Sequence, residues 1–357
     1  MTATAHPAHH RSDGKYCPPG LPAAWRLPWV TTLKRCLAEA RSRLGSAPAG
    51  SPRCPPGSLL RSALRRGVAL TLLAALALPC AAAQQAAYQR AISLAPHITE
   101  LIFAAGAGSH IAGTVSRSDY PAAARRIARV GDGVSVSLEA TLALHPDVVL
   151  AWYESGAARR LAPALARAGI PTLYVTPRSL DDIPAELRRM GVLFGTDAAA
   201  VPAAQALADR IATLRRTYAN RRPMRVFIEI SNPPLFAVAN DPVIDDALRA
   251  CGGINIFARL PGAAAQVSRE SILLRQPEVV IAPSRDPAEI EALRMRWAAD
   301  GLAAAAERQV YGIDPDQLFR PGPRAVDAAE RMCALLDGAR ARADTYTHLG
   351  ARIQYTP

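Results

Sequence analysis

The sequence predicts an α/β protein of two similar lobes joined by a single long helix. Three observations carry this. Strand-like apolar runs alternate with alanine- and leucine-rich helical stretches. The segment "SLEATLALHPDVVLAW" (Ser137–Trp152) recurs as "SRESILLRQPEVVIAP" (Ser268–Pro283). Between the copies, "TDAAAVPAAQALADRIATLRRTYANRR" (Thr196–Arg222) reads as one helical pattern.

The expected strands are Ala91–Leu94, Val148–Trp152, Thr172–Val175, Arg225–Ile230, Val279–Ala282 and Gln309–Ile313, mostly parallel within each lobe. In both copies of the repeat a serine can cap a short helix and a glutamate follows in its first turn, where the helix dipole favours it. Pro146 and Pro277 end those helices, and His145 reads as a cap residue. Pro202 suits the first turn of the long helix. That helix either packs on one domain or bridges two, and the repeat on either side favours the bridge. "SNPPLFAVAN" (Ser231–Asn240) reads as a loop after the first strand of the second lobe. "SDYP" (Ser118–Pro121) reads as a loop with Asp119 as turn-former. "RPGP" (Arg320–Pro323) is a rigid turn before a final helix, Ala325–Leu336, and Arg324 stands near its start.

The formal charge of +12 is concentrated at the start of the chain. Residues 1–83 hold 11 Lys and Arg against 2 Asp and Glu, which leaves the remaining 274 residues at only +3. A nucleic-acid-binding surface is therefore not expected. "LLRSALRRGVALTLLAALALPCAAAQQ" reads as an export signal: arginine flank, short apolar core, small-residue cleavage site; a retained membrane anchor is the alternative. The boundaries that follow are a misassigned or disordered extension over 1–60, a signal peptide over 61–83, an N-terminal lobe over 84–195, the interlobe helix over 196–222, a C-terminal lobe over 223–345 and a tail over 346–357. Two cysteines remain after the signal, Cys251 and Cys333. In an oxidising compartment they form one disulfide, or else two separate buried thiols.

No enzyme motif stands out: the chain lacks G-x-S-x-G, H-E-x-x-H, C-x-x-C and a P-loop, and its histidines have no tight metal-ligand spacing. A binding protein is expected rather than an enzyme.

The stretches "ISLAPHITELIFAAGAG", "SDYP", "VGDGVSVSLEATLALHPDVVLAW", "CGGINIFARLPGAAAQVSRESILLRQPEVVIAP" and "RPGPRAVDAAERMCALL" resemble the periplasmic cobalamin-binding proteins of ABC importers, a group that includes haem- and siderophore-binding relatives. The resemblance runs over about Arg90–Leu336. It implies two α/β lobes on one stiff helix with the ligand in the cleft between them, and a disulfide between Cys251 and Cys333. It implies a periplasmic receptor, monomeric when free, with no catalytic cofactor, that carries cobalamin to an inner-membrane ABC permease. The alternative cargo is haem or a ferric siderophore. Glu139 and Glu270 correspond to acids that meet arginines of the permease, one per lobe; the alternative is a plain first-turn glutamate in each.

For the ligand, the resemblance points to Trp152 in its "AW" motif, which could instead close the lobe's own core. His97, at the end of the first strand, is a candidate contact, with a capping or solvent-facing role as the alternative. Arg117 stands where a relative has tyrosine, and Gly133 and Ala264 where it has tryptophans. Tyr153, Phe236 and Phe257 are candidate replacements for those aromatic surfaces.

Overall fold

A computed structural model describes residues 87–154 and 156–353, the last ten of these as backbone only. The expected extension and signal peptide lie outside the described residues. Among the described residues, no helix is long and apolar enough to cross a membrane.

The N-terminal lobe holds β1 (Ala91–Ser93), α1 (Pro96–Ala104), β2 (Ile111–Val115), β3 (Ala128–Gly131), α2 (Leu138–Ala143), β4 (Val148–Ala151), α3 (Gly156–Arg167), β5 (Thr172–Tyr174) and α4 (Asp182–Phe194). Its five strands are all parallel, in the order β3-β2-β1-β4-β5. The connecting helix α5 spans Asp197–Tyr218. The C-terminal lobe holds β6 (Met224–Ser231), β7 (Phe236–Val238), α6 (Pro242–Ala250), β8 (Gly253–Asn255), β9 (Ala264–Gln266), α7 (Arg269–Arg275), β10 (Val279–Ala282), α8 (Pro287–Ala299), α9 (Ala303–Ala306), β11 (Val310–Gly312), α10 (Pro315–Leu318) and α11 (Ala325–Ile353). Here β8, β6, β10 and β11 are parallel, while β7 and β9 add an antiparallel flap.

Side chains alternate across each sheet with the period of two that pleating imposes. Val148 and Leu150 face one core, Val149 and Ala151 another. In the second lobe Val226 and Ile228 face that same first core, whereas Phe227 faces a third. The first core is thus continuous: it runs from Leu101 and Leu187 through Leu207, Ile211 and Leu214 of α5 to Val243, Leu248 and Leu336. Each lobe has its own outer core, and one shared apolar body ties the two through the connecting helix. Cys251 and Cys333 are joined in a disulfide with Cα atoms 4.7 Å apart, linking the end of α6 to α11.

The repeat is structural as well as sequential. Ser137 Oγ accepts from Ala140 N at 3.1 Å, and Ser268 Oγ from Ser271 N at 3.2 Å. His145 (φ 46°) and Gln276 (φ 45°) take the same left-handed conformation ahead of Pro146 and Pro277. Asp147 then accepts Arg90 N at 3.1 Å and donates its own N–H to Arg90 O at 2.9 Å. Glu278 does the same with Arg225, at 2.9 and 2.8 Å. The guanidinium of each of these arginines donates to a carbonyl at the end of the preceding short helix, Leu144 and Gln276. Both lobes therefore use one clamp to satisfy a helix C-terminus and seat a strand beside it.

Four expectations are corrected. "SNPPLFAVAN" is not a loop but a tight hairpin from β6 into β7, because Phe236–Val238 pairs antiparallel with both neighbours. Pro202 lies inside α5 rather than in its first turn. Gly195 turns the chain at φ 68° and the Thr196 carbonyl accepts Ala199 N and Ala200 N, so the helix starts at once. The final helix runs to Ile353 rather than Leu336, since no residue after Leu336 breaks it. Asp119 accepts from Arg320 at 2.9 Å, making it an ion-pair partner across the lobes.

Candidate functional site

The C-terminal ends of the N-lobe strands face the C-terminal lobe, where open α/β sheets present their ligand loops. Trp152 follows directly on β4. Its ring stacks on Tyr153 with centroids 4.7 Å apart and meets His97 edge-on at 4.8 Å. Trp152 is half-buried, and its indole N–H is buried with no partner among the described residues. Tyr153 is 49% exposed.

This aromatic pair forms a wall of two cavities. One is an interlobe crevice of about 20 Å³, closed from the far side by Asp241, Ile244, Phe319 and Pro321. The other is a pocket of about 390 Å³ on the N-terminal lobe, lined also by Leu94, Pro96, Gly133, Val134 and Arg160. Burial pushes the Tyr153 phenol above its ordinary pKa, and the nearby Asp241 carboxylate adds to the shift. Burial likewise raises Asp241, which caps α6 by accepting Val243 N and Ile244 N.

His97 lies behind the wall rather than in it. It is 1% exposed, so a solvent-facing role is ruled out. Burial lowers its pKa to about 4, leaving a neutral ring at pH 7. Its Nε2 lies 3.5 Å from Val175 O, at the outer limit of a hydrogen bond. Beneath it, the buried hydroxyls of Ser93, Thr99, Thr114 and Ser118 bond to one another over 2.8–3.1 Å and fix the start of α1 against β1 and β2.

Arg117 is exposed and reaches across the lobes to 3.9 Å from Asp316. Phe236 is half-buried at the start of β7 and lines neither cavity. Phe257 is 2% exposed in the outer core of the C-terminal lobe, under the Arg275 guanidinium, and so does not serve a cleft. Glu139 and Glu270 are each the second residue of a short helix, both exposed, with no ion pair among the described residues. The Glu270 carboxyl lies below its ordinary pKa because its own backbone N–H and the Ser268 hydroxyl donate to it.

The sequence reading missed the junction that closes the crevice. Glu100, in α1, is buried and accepts from Arg324 at 2.9 and 2.7 Å and from Arg320 at 3.1 Å. Arg320 also meets Asp119 at 2.9 Å and Asp316 at 2.5 Å. Arg324 lies 4.2 Å over the ring of Tyr120. Burial raises the Asp119 carboxyl, but the Arg320 guanidinium outweighs it and holds the group below its ordinary value. Gly322 packs so closely that an added Cβ would lie 3.2 Å from His97 Cβ. A signal was present: Glu100 is the one charged residue in "PHITELIFA", and a lone acid in an apolar helix needs a partner.

A family model described as a periplasmic binding protein matches residues 92–317. A vitamin B12-binding protein of Pectobacterium carotovorum is 37% identical over 250 residues, covering 70% of this chain and 88% of the relative. The crystal structure of the periplasmic vitamin B12 binding protein BtuF of Vibrio cholerae superposes with a TM-score of 0.66 at 33% identity, covering 71% of this chain and 98% of that one. The haem-binding protein HutB of the same organism, at 20% identity and a TM-score of 0.61, shares the fold. With two α/β lobes on one long helix and a cleft at the strand ends, the chain belongs to the periplasmic binding protein family, whose members carry ligands rather than catalyse reactions.

Proposed function

We propose that this chain binds a corrinoid, cobalamin, between its lobes and delivers it to an inner-membrane ABC permease. The observation that carries the ligand assignment is Trp152. Its ring is part of a stacked pair beside both cavities, which suits a broad, flat and partly apolar ligand. Its buried, unpaired N–H suits a ligand that brings acceptors of its own, as the side-chain amides of a corrinoid do. The relatives described as vitamin B12-binding support the same reading. Haem is less well served. The Tyr153 phenol is held in its protonated form and His97 is buried behind Trp152, so neither is set up to ligate iron. Arg117, exposed and held only at 3.9 Å from Asp316, remains a candidate for the ligand's polar rim.

The interlobe crevice is too narrow for a corrinoid, so the ligand sits across the wider N-lobe pocket and parts the lobes there. Docking falls to Glu139 and Glu270, one exposed and unpaired acid per lobe on matching caps, which suits orientation of a cationic partner more than raw affinity.

Calorimetric titration of the purified chain with cyanocobalamin, beside haemin and a ferric siderophore mixture, tests the reading. Saturable one-to-one binding of cyanocobalamin alone is expected, weakened about tenfold by Trp152→Ala. Binding of haemin or siderophore in its place overturns the corrinoid assignment. Glu139→Arg with Glu270→Arg should leave this titration unchanged and abolish uptake through the permease.

A further inference from the structure

The segment that enters α2 is a closed hairpin rather than a plain connection. Ser137 N donates to Val130 O at 2.8 Å, Gly131 bridges Val136 antiparallel, and Asp132 N donates to Ser135 O at 3.0 Å. Asp132 Oδ1 accepts Val134 N at 2.8 Å and Ser135 N at 2.6 Å. A Cβ on Gly131 would lie 2.1 Å from Ser135 O, so the hairpin closes on bare backbone. Cross-bonded in this way, residues 131–136 form one body, anchored at Gly131, whose carbonyl accepts Ser116 N of the neighbouring segment at 2.9 Å.

The tip of this body lines the ligand pocket: Gly133 and Val134, the latter 78% exposed, stand beside Trp152 and Tyr153. Arg160, on α3, lines the same pocket and donates to Val134 O at 2.6 Å. The base of the body is Ser137, which caps Ala140 N and is followed two residues on by Glu139. The second lobe has no such lever. Its counterpart, Ala264–Gln266, is strand β9, paired to β7, and Val267 N is bonded to Leu235 O at 3.1 Å.

We propose that Arg160 is a positioning residue that holds the 131–136 hairpin as a wall of the ligand pocket, and that this hairpin carries the occupancy of the pocket to the Ser137 cap and Glu139. The ligand and docking roles rest on the function proposed above; the lever itself does not. A ligand in the pocket bears on Val134 and offers acceptors that compete with the Val134 carbonyl for the Arg160 guanidinium. The released tip tilts about its Val130–Ser137 base, and the cap moves with it. Glu270, entered from a paired strand, stays fixed. A docking partner that reads both acids then meets one spacing in the empty protein and another in the loaded one.

Hydrogen exchange on the full chain tests this. The readouts are the Ala140 and Thr141 amides, both bonded to Ser137, against Ser271 and Ile272, bonded in the same way to Ser268. Without ligand, Arg160→Ala should speed exchange at the first pair about fivefold, the scale of a weakened cap, and leave the second pair unchanged. Arg160→Lys should restore most of the protection. Val134→Trp, which fills the pocket from its own wall, should reproduce the loss at Ala140 and Thr141, and cyanocobalamin should do so in the wild type. Unchanged exchange in Arg160→Ala, or a rise at both pairs together, overturns the positioning role. Unchanged exchange in Val134→Trp overturns the lever. Failure of cyanocobalamin to bind by calorimetry counts against the corrinoid reading alone, because the two variants need no ligand.

Discussion

The two copies of the internal repeat agree where they face away from the cleft and differ where they face it. Each has the serine cap, the left-handed residue before proline, and the acid that clamps an arginine backbone. At the strand's end the first copy places Trp152 and the second Pro283. At the helix's entry the first has a hairpin lining a pocket and the second a paired strand. The shared parts answer a need that is the same in any lobe, since helix ends and first strands leave backbone groups to satisfy. The parts that differ lie at the C-terminal strand edges, where the ligand's shape rather than the backbone's needs decides the residue.

The comparison is broken most severely at the junction, which has no duplicate. Glu100→Ala leaves the nearly buried Arg324 guanidinium without its carboxylate, while Arg320 keeps Asp119 and Asp316, and should cost about 3–4 kcal/mol in urea unfolding. His97, equally unduplicated, should make stability depend on pH. The unfolded ring takes its proton near 6.5, while the folded ring resists it until about 4. Stability is therefore whole above 6.5 and falls as the pH drops through this window, by about 3 kcal/mol in all. The difference between melting curves of the wild type and His97→Gln across that range isolates the effect; a flat difference would refute it. The clamps sharpen the comparison. Asp147→Ala and Glu278→Ala should each lose about 1–2 kcal/mol, because each removes a charged acceptor from a backbone N–H; Asp147 also accepts Gln89 N and Glu278 the Arg222 guanidinium, both at 2.6 Å. The smallest effect belongs to the caps: Ser137→Ala and Ser268→Ala should cost about 1 kcal/mol each. A twofold inequality between the caps would show that the frames are not equivalent.

Much of the frame was legible because its signals are local. The apolar runs of β4, β6 and β10, the two capped helices and the long α5 all announce themselves within a few residues. The strands that went unread, β2 as "IAGTV", β3 as "ARVG" and the three-residue β7, β8 and β9, are too short or too glycine-rich to show a period. They are strands because a neighbour pairs with them. The site was legible in part. Trp152 and Tyr153 adjoin in sequence and stand together in the structure, but Arg320 and Arg324 find Glu100 across 220 and 224 positions, and no local spacing foretells that. Phe257 misled because an aromatic residue near a glycine-rich turn looks the same whether it faces a ligand or a core.

Gly322 acts as a gauge. The two lobes touch there with so little room that one methyl group would press on His97, the residue on which Trp152 leans. The closeness of the lobes at this point therefore depends on an absence, a side chain that was never added. An alanine at this position would be a shim of a few tenths of an ångström under one jaw.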